Sequence, residues 1–388
     1  MKLVDRKKDL TGILKLLSIF PVTAILGARQ CGKTTLAKQI THDHYFDLEN
    51  PRDFVRFEHP QLTLEDLEGL IVIDEIQRKQ DLFPLLRYLV DNKPKQKYLI
   101  LGSASGKLIR QSSESLAGRI GYYNLSGFQI SDIGVEKVEK LWLRGGLPRS
   151  FLAGDDEQSV LWRDNYITTF LERDIPQLGI NIPARTLRRF WIMLSHYHGQ
   201  IINFSEIGRS FGISDMTVRK YLEILESTFM IRLLQPWYVN IGKRLVKHPK
   251  IFLRDSGIFH SLMSISSRQQ LFTHNKLGAS WEGFALECAC RELNLKNEEV
   301  YFWRTHSGAE LDMLWQSGGK YWGAEFKFMD APHLSKSMQI SVDDLHLEHL
   351  WVIYPGKAEY KITKNITALP LSSVRIIRNC TNTSSKAV

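Results

Sequence analysis

The sequence predicts an α/β protein of several domains: a parallel sheet between layers of helices, then a mostly helical stretch, then a second mixed α/β region. Three observations predict it. A chain of 388 residues exceeds one typical core, at roughly 100 to 200 residues per domain. Up to about Pro148, short apolar runs alternate with helical periodicity, as in buried parallel strands flanked by helices. From about Asp155 to Tyr238 the apolar spacing is mostly helical, and after about Trp281 strand and helix patterns mix again. The domains read as 1–150, 151–250 and 251–378, with the polar, small-residue stretch 379–388 as a flexible tail.

The strands of the first domain are Pro21-Val-Thr-Ala-Ile-Leu26, Leu70-Ile-Val-Ile73 and Tyr98-Leu-Ile-Leu101. A hydrophobic fraction of 43% supports real cores. The charged start Met1-Lys-Leu-Val-Asp-Arg-Lys-Lys8 leads into no apolar run near the roughly 20 residues that span a bilayer. That argues against a membrane protein and for a cytoplasmic one. Cys31, Cys288, Cys290 and Cys380 make neither a disulfide framework nor the paired CxxC spacing of a zinc site, so reduced thiols are expected. His306, His333 and the pair His196 and His198 also lack a ligand set and read as structural histidines. The net charge of +9 is local: residues 181–280 hold 14 Lys and Arg against 5 Asp and Glu, and the rest of the chain sums to zero. A local basic field attracts polyanions, nucleic acid foremost and an acidic protein or lipid surface next. A solvated basic face is the plain alternative.

The sharpest motif is Gly27-Ala28-Arg29-Gln30-Cys31-Gly32-Lys33-Thr34-Thr35, which fits GxxxxGK[ST] directly after an apolar strand and before a helical pattern. Glycines let such a turn close tightly, so that backbone N–H groups and a helix N-terminus face phosphates. Lys33 is placed to reach the β- and γ-phosphates of ATP, and Thr34 to bind Mg²⁺. Leu70-Ile-Val-Ile-Asp74-Glu75 ends an apolar strand in two carboxylates, with Asp74 expected on Mg²⁺ and Glu75 as the base that polarises the attacking water. The third strand runs into Gly102-Ser103-Ala104-Ser105, where Ser103 either positions that water or is an ordinary turn residue. Arg119 either stabilises charge on the γ-phosphate, within the chain or across a subunit boundary, or makes a surface salt bridge.

These pieces, with Ser115-Leu-Ala-Gly-Arg119, Gly145-Gly-Leu-Pro148 and Leu171-Glu-Arg-Asp-Ile-Pro-Gln-Leu-Gly179, make nearly the whole chain resemble a prokaryotic family of AAA-type P-loop ATPases. The resemblance implies an AAA-like core, then a winged helix, then an α/β domain similar to PD-(D/E)xK nucleases. Where many relatives have Thr ahead of the Gly-Ser pair this chain has Leu101, which weakens the assignment of Ser103.

In the basic middle, Phe204 to Leu225 holds two short helical patterns, each opened by a serine cap, Ser205 and Ser214, around a Gly-containing turn. This looks like a helix-turn-helix with Met216, Tyr221, Leu222 and Leu225 toward a core and Thr217, Arg219 and Lys220 exposed toward double-stranded DNA. Phe229 to Trp237 supplies a β wing, and Lys243, Arg244, Lys247 and Lys250 extend the basic surface. A protein-docking or structural role is the alternative.

Near the C-terminus, Asp312 and Glu325-Phe-Lys327 reproduce D…ExK on adjacent strands. In a nuclease of the implied fold, such an Asp and Glu hold Mg²⁺ and the Lys activates water. The helical acid that completes the set is Glu282, with Glu287 behind it. The expected function is an ATP-binding and ATP-hydrolysing protein that acts with DNA. The alternative is a nucleotide-gated module for a protein partner, with an inert C-terminal domain; an oligomer is open in both.

Overall fold

The computed structural model describes residues 4–79, 81–103, 112, 114–238 and 247–383. Ala104, Ser105, Lys243, Arg244 and the end of the expected tail lie outside the described residues.

The N-terminal sheet consists of β1 (Val22–Gly27), β2 (His44–Asp47), β3 (Gly69–Asp74), β4 (Gln96–Ser103) and β5 (Ile120–Leu125). All are parallel, in the order β2-β3-β4-β1-β5. β1 is buried throughout and apolar except for Thr23, as suits a strand covered on both faces. The helices Lys7–Ile19 and Lys33–Ala37 pack near it. Because β1, β3 and β4 are parallel, their C-terminal ends share one edge, where Gly27 lies opposite Ser103 and Asp47 opposite Asp74. Ligands of open α/β sheets bind at that edge, where the strand order reverses. Gly27 is needed for space: a Cβ there would sit 2.2 Å from the Leu125 carbonyl oxygen.

The other strands are β6 (Gln200–Ile201), β7 (Ile231–Pro236), β8 (Lys250–Leu253), β9 (Val300–Arg304), β10 (Glu310–Ser317), β11 (Lys320–Phe326), β12 (His349–Tyr354), β13 (Tyr360–Thr363) and β14 (Ile366–Pro370). They form one sheet in the order β13-β14-β12-β11-β10-β9-β7-β8-β6. β7 joins β9 through Gln235 with Tyr301 and Pro236 with Phe302. The sheet therefore runs through the expected limit at 250, which β8 straddles. Two cores are shared in the same way. One joins Leu36 beside the phosphate loop to Phe170, Trp191 and Leu225, and the other joins Trp142 to Trp281, Phe302 and Trp315. Among the described residues no helix is long and apolar enough to cross a membrane.

The middle segment runs helix Ala184–His196, β6, helices Phe204–Phe211 and Asp215–Ser227, then β7 and β8. Asn203, not Ser205, caps the second of these helices, accepting from Glu206 N, while the Ser205 hydroxyl donates to Asp215. Ser214 caps the third as expected, and Gly212 ends the second in a left-handed conformation. Leu222 and Leu225 are buried and Tyr221 is half-buried, but Met216 is 80% exposed, against expectation. Nine residues separate Met216 from Leu225, which puts them on opposite sides of a helix at 3.6 residues per turn.

Candidate functional site: the phosphate-loop cleft

The loop after β1 is held in shape by its own lysine and by the chain behind it. Lys33 is buried, and its Nζ donates to the Gly27 and Ala28 carbonyls at 3.0 Å each. Gly32, at φ 103°, occupies a conformation that a side chain would strain. Arg6 donates to the Cys31 carbonyl at 3.0 Å and pairs with Asp9, tying the loop to the first helix.

At the end of β3, Asp74 is the point of convergence. Its Oδ2 accepts from the Thr34 hydroxyl at 2.7 Å and from the Tyr45 hydroxyl at 2.8 Å, and its Oδ1 accepts from Glu75 N at 2.9 Å. Hydroxyl and carboxylate oxygens at one spot are the donor set that Mg²⁺ prefers, so the residues present fit that ion. Burial, with Asp74 close by, raises the Tyr45 phenol far above its ordinary range and keeps it a donor. Glu75 follows with a left-handed backbone, φ 57° and ψ 42°, a conformation that in non-glycine residues clusters at functional sites. Burial pushes its carboxyl up, Lys33 works against that, and Asp74 adds to it. The Gln77 side-chain amide donates to Glu75 Oε2.

The cleft beside these groups has a volume of about 610 Å³, within the range of small-molecule sites. Arg6, Arg29, Lys33, Arg149 and Arg173 line it against Glu49 and Glu75, an excess of positive charge suited to a polyphosphate, and Val4, Phe128, Pro148 and Leu152 form an apolar wall. Spacing alone did not single out most of these residues. The Gly145-Gly-Leu-Pro148 motif now has a physical role. Gly145 has φ 77°, Gly146 N donates to Asp255 at 2.8 Å, and Pro148 is thereby laid beside Gly32. The Leu171 to Gly179 motif has one too. Asp174, in the π-helical turn Phe170–Asp174, accepts from Arg29 at 2.6 Å, and Glu49 accepts from Arg29 at 2.9 Å. Burial raises the Asp174 carboxyl, against the pull of Arg29.

Of the remaining candidates, Ser103 lies opposite Gly27, and its buried hydroxyl has no hydrogen-bond partner among the described residues. Gln30 is exposed on the loop and Thr35 on the helix behind it. Arg119 is not at the cleft. It precedes β5, its carbonyl accepts from Val22 N at the start of β1, and its guanidinium holds Asp91 at 2.6 and 3.0 Å. The six residues of β1 put about 17 Å between that edge and the phosphate loop. A role within the chain is therefore corrected to a surface ion pair, and only a second subunit would bring Arg119 to a nucleotide.

The C-terminal carboxylates do come together. The β10–β11 register places Asp312 opposite Glu325, and Lys327 Nζ lies 2.6 Å from Glu325 and 3.5 Å from Asp312. Lys250, expected on the basic surface, is instead 2% exposed and sits in the middle of the cluster. Its ammonium is 3.1 Å from Glu282 and 3.5 Å from Asp312 and pairs with Glu310, which also holds Arg304 at 3.1 Å. Burial pushes Glu282 up to about 7, against Lys250. Burial also opposes ionisation of Asp312, but Lys327 and Lys250 hold it down at about 2. Burial and Asp312 raise the Glu325 carboxyl well above the usual carboxylate range, and its Oε1 has no partner among the described residues. Lys250, Lys327 and Arg304 thus lie against Glu282, Glu310, Asp312 and Glu325. Lys250 already supplies these acids with a buried positive charge. Among the described residues no group of three or more His, Cys, Asp or Glu side chains is arranged to hold a metal ion. Glu287 is occupied elsewhere: it binds Arg232 at 2.5 Å, Arg254 at 3.4 Å and Arg291 at 3.6 Å.

On the helix Asp215–Ser227, Arg219 and Lys220 are exposed and Thr217 is half-exposed, with Arg219 stacked 3.8 Å above the Phe204 ring. His198 is a core histidine: burial lowers it to about 3, and its Nδ1 accepts from Leu253 N.

The parallel sheet, its phosphate loop and the paired acids at the tip of β3 define an AAA-type P-loop ATPase domain, and residues 20–134 match the AAA domain family. Residues 135–269 and 277–374 match two domains of unknown function, DUF8612 and DUF4143. Uncharacterized protein Rv2008c of Mycobacterium tuberculosis and uncharacterized protein Mb2031c of Mycobacterium bovis are each 45% identical to the chain over 376 residues, 96% of it and 85% of theirs. The chain belongs to the family of these mycobacterial proteins. Among solved structures, the Walker-type ATPase PABY2304 of Pyrococcus abyssi has a TM-score of 0.49 at 16% identity, covering 67% of this chain and 96% of that one.

Proposed function

We propose that the chain binds ATP with Mg²⁺ in the phosphate-loop cleft, hydrolyses it there, and couples that cycle to double-stranded DNA held by its basic middle segment. One observation carries the ATPase reading: the Thr34 and Tyr45 hydroxyls converge on Asp74 one residue before Glu75, beside a cleft with excess positive charge. In this reading Lys33 leaves its two loop carbonyls for the β- and γ-phosphates, while the loop amides and the helix behind them bind phosphate oxygens. Thr34 and Asp74 hold Mg²⁺, which when bound draws off phosphate charge. The apolar wall of Val4, Phe128, Pro148 and Leu152 suits the flat face of the base. Glu75, kept basic by its burial, takes a proton from the attacking water.

The order helix, strand, two helices, two strands, with β6 and β7 flanking β8, supports a winged helix. In that reading the helix Asp215–Ser227 enters a major groove, with Thr217, Arg219 and Lys220 toward the DNA. The 80% exposure of Met216 on the same helix favours a second reading, in which nucleotide state gates a protein partner at this face. The paired Asp312, Glu325 and Lys327 support a PD-(D/E)xK-like arrangement, and the buried ammonium of Lys250 among the acids argues for one without cleavage.

The test is Mg²⁺-dependent ATP hydrolysis with and without double-stranded DNA, in wild type, Lys33→Ala and Glu75→Gln. Stimulation by DNA that both variants lose supports the proposal. Hydrolysis indifferent to DNA favours the protein-gated reading, and no Lys33-dependent hydrolysis refutes the ATPase assignment.

A further inference from the structure

Beside the phosphate loop lies a second, smaller cavity of about 30 Å³, room for a water molecule. Its walls come from two parts of the chain. Gly27, Gln77 and Ser103 belong to the ATPase domain, and Asp174, Leu178 and Thr228 to the middle segment. Two of the buried polar atoms on this lining, Ser103 Oγ and Gln77 Oε1, have no hydrogen-bond partner among the described residues. By contrast, Thr228 Oγ1 donates to the Ile224 carbonyl at 2.7 Å, and Asp174 holds Arg29. Native interiors rarely leave buried polar atoms unpaired, and such atoms call for an explanation.

The Gln77 amide can be oriented on chemical grounds. Its Nε2 faces Glu75 Oε2. Flipping the amide would set its carbonyl against that carboxylate, so Oε1 is the acceptor left over. Gln77 thus joins the expected base to the small cavity, and Ser103 joins the cavity to Gly27, the first residue of the phosphate loop.

We infer that this cavity seats the attacking water, that Gln77 orients it with Ser103 as second partner, and that the middle segment forms the far wall of the hydrolytic site. The inference rests on the ATPase reading and deepens it. Gln77 Oε1 accepts one hydrogen of the water while Glu75 takes the other as a proton. The water oxygen bonds to the γ-phosphorus as the bond from that phosphorus to the β–γ bridging oxygen breaks. ADP leaves with the electron pair, the remaining hydrogen stays on inorganic phosphate, and Glu75 releases its proton to solvent. A glutamine that orients water is one established solution to this problem in nucleoside triphosphatases. The wall from the middle segment explains why Asp174 is anchored to Arg29 of the phosphate loop: the two parts must hold register for the water to stay in line. It also makes turnover sensitive to anything that shifts the basic middle segment.

The experiment compares steady-state hydrolysis and fluorescent-ATP binding in the full chain for wild type, Gln77→Leu and Leu178→Trp, with thermal unfolding as a folding control. Gln77→Leu removes both amide groups at similar volume, and Leu178→Trp fills the cavity from the middle segment. Each is expected to lower kcat by about 10- to 100-fold while ATP affinity stays within about twofold, the pattern of an interaction used only in turnover. If wild type hydrolyses ATP and Gln77→Leu keeps its kcat, the role of Gln77 is overturned. If Leu178→Trp keeps kcat, the wall from the middle segment is overturned. No turnover in wild type removes the ATPase reading itself, and this inference with it.

Discussion

The phosphate-loop cleft and the C-terminal carboxylate cluster use the same residue types to opposite ends. In the cleft the functional groups are only partly engaged. Lys33 is parked on two carbonyls, Glu75 is held by one amide, and Ser103 Oγ and Gln77 Oε1 have no partner among the described residues. In the C-terminal cluster, acids spaced like those of a nuclease meet lysines already in place, Lys250 and Lys327. Motif-like acids therefore do not by themselves specify a metal site. What decides is whether a ligand must supply the countercharge or the chain already does.

The largest effect that would break this contrast is in the cleft. Glu75→Gln should lower kcat by about 10²- to 10⁴-fold with ATP binding retained, measured by turnover and by nucleotide titration. Equal turnover in the variant would show that Glu75 is no more engaged in chemistry than the C-terminal acids. Next is Lys250→Ala, which leaves Glu282, Glu310 and Asp312 without their buried countercharge and should destabilise the protein by about 3–5 kcal/mol, read by denaturant unfolding. Without nucleotide, added Mg²⁺ should leave wild-type stability unchanged, and stabilisation that Glu325→Ala abolishes would show a metal site after all.

A smaller effect concerns pH. Glu282 is raised by burial to about 7, so between its ordinary range near 4.5 and about 7 the folded protein keeps a proton that the unfolded chain has lost. Stability contributed by this group therefore falls as pH rises through that window. Glu282→Gln should flatten thermal stability between pH 4.5 and 7, and an unchanged slope would refute the assignment. Asp312 acts in the opposite sense, its contribution present above pH 4 and lost as pH falls toward 2. The smallest expected effect is at the exposed helix, whose Arg219 and Lys220 make no ion pair among the described residues. Arg219→Glu with Lys220→Glu should weaken double-stranded DNA binding by roughly tenfold and lower its salt dependence by about two phosphate contacts, measured by fluorescence anisotropy at several salt concentrations. Unchanged binding would move the helix to the protein-docking reading.

Much of the cleft was legible because its signals are local. Gly27 to Thr35 lie within one strand–turn–helix, and Asp74 and Glu75 at the end of one apolar strand. Two misplacements were also open to local reasoning. Arg119 precedes a strand, and in a parallel sheet residues before and after strands lie at opposite edges. Met216 is half a helical turn away from the buried positions. Lys250 was not open to it: a lysine in a basic stretch reads as surface, and 60 residues separate it from Glu310, its nearest partner along β10.

The sequence by itself determined the ATPase domain, since strand period, glycine spacing and terminal acids act over a few residues and specify their own geometry. It also put Asp312 and Glu325-Phe-Lys327 on adjacent strands, because two strand patterns joined by a short turn pair as a hairpin. Only the tertiary structure decided that Lys250 closes the acid cluster, that Asp174 holds the phosphate loop, and that the middle segment walls the cavity at Ser103 and Gln77. Those outcomes depend on β7 joining β9 and on cores shared across domains, long-range packing that no local spacing encodes.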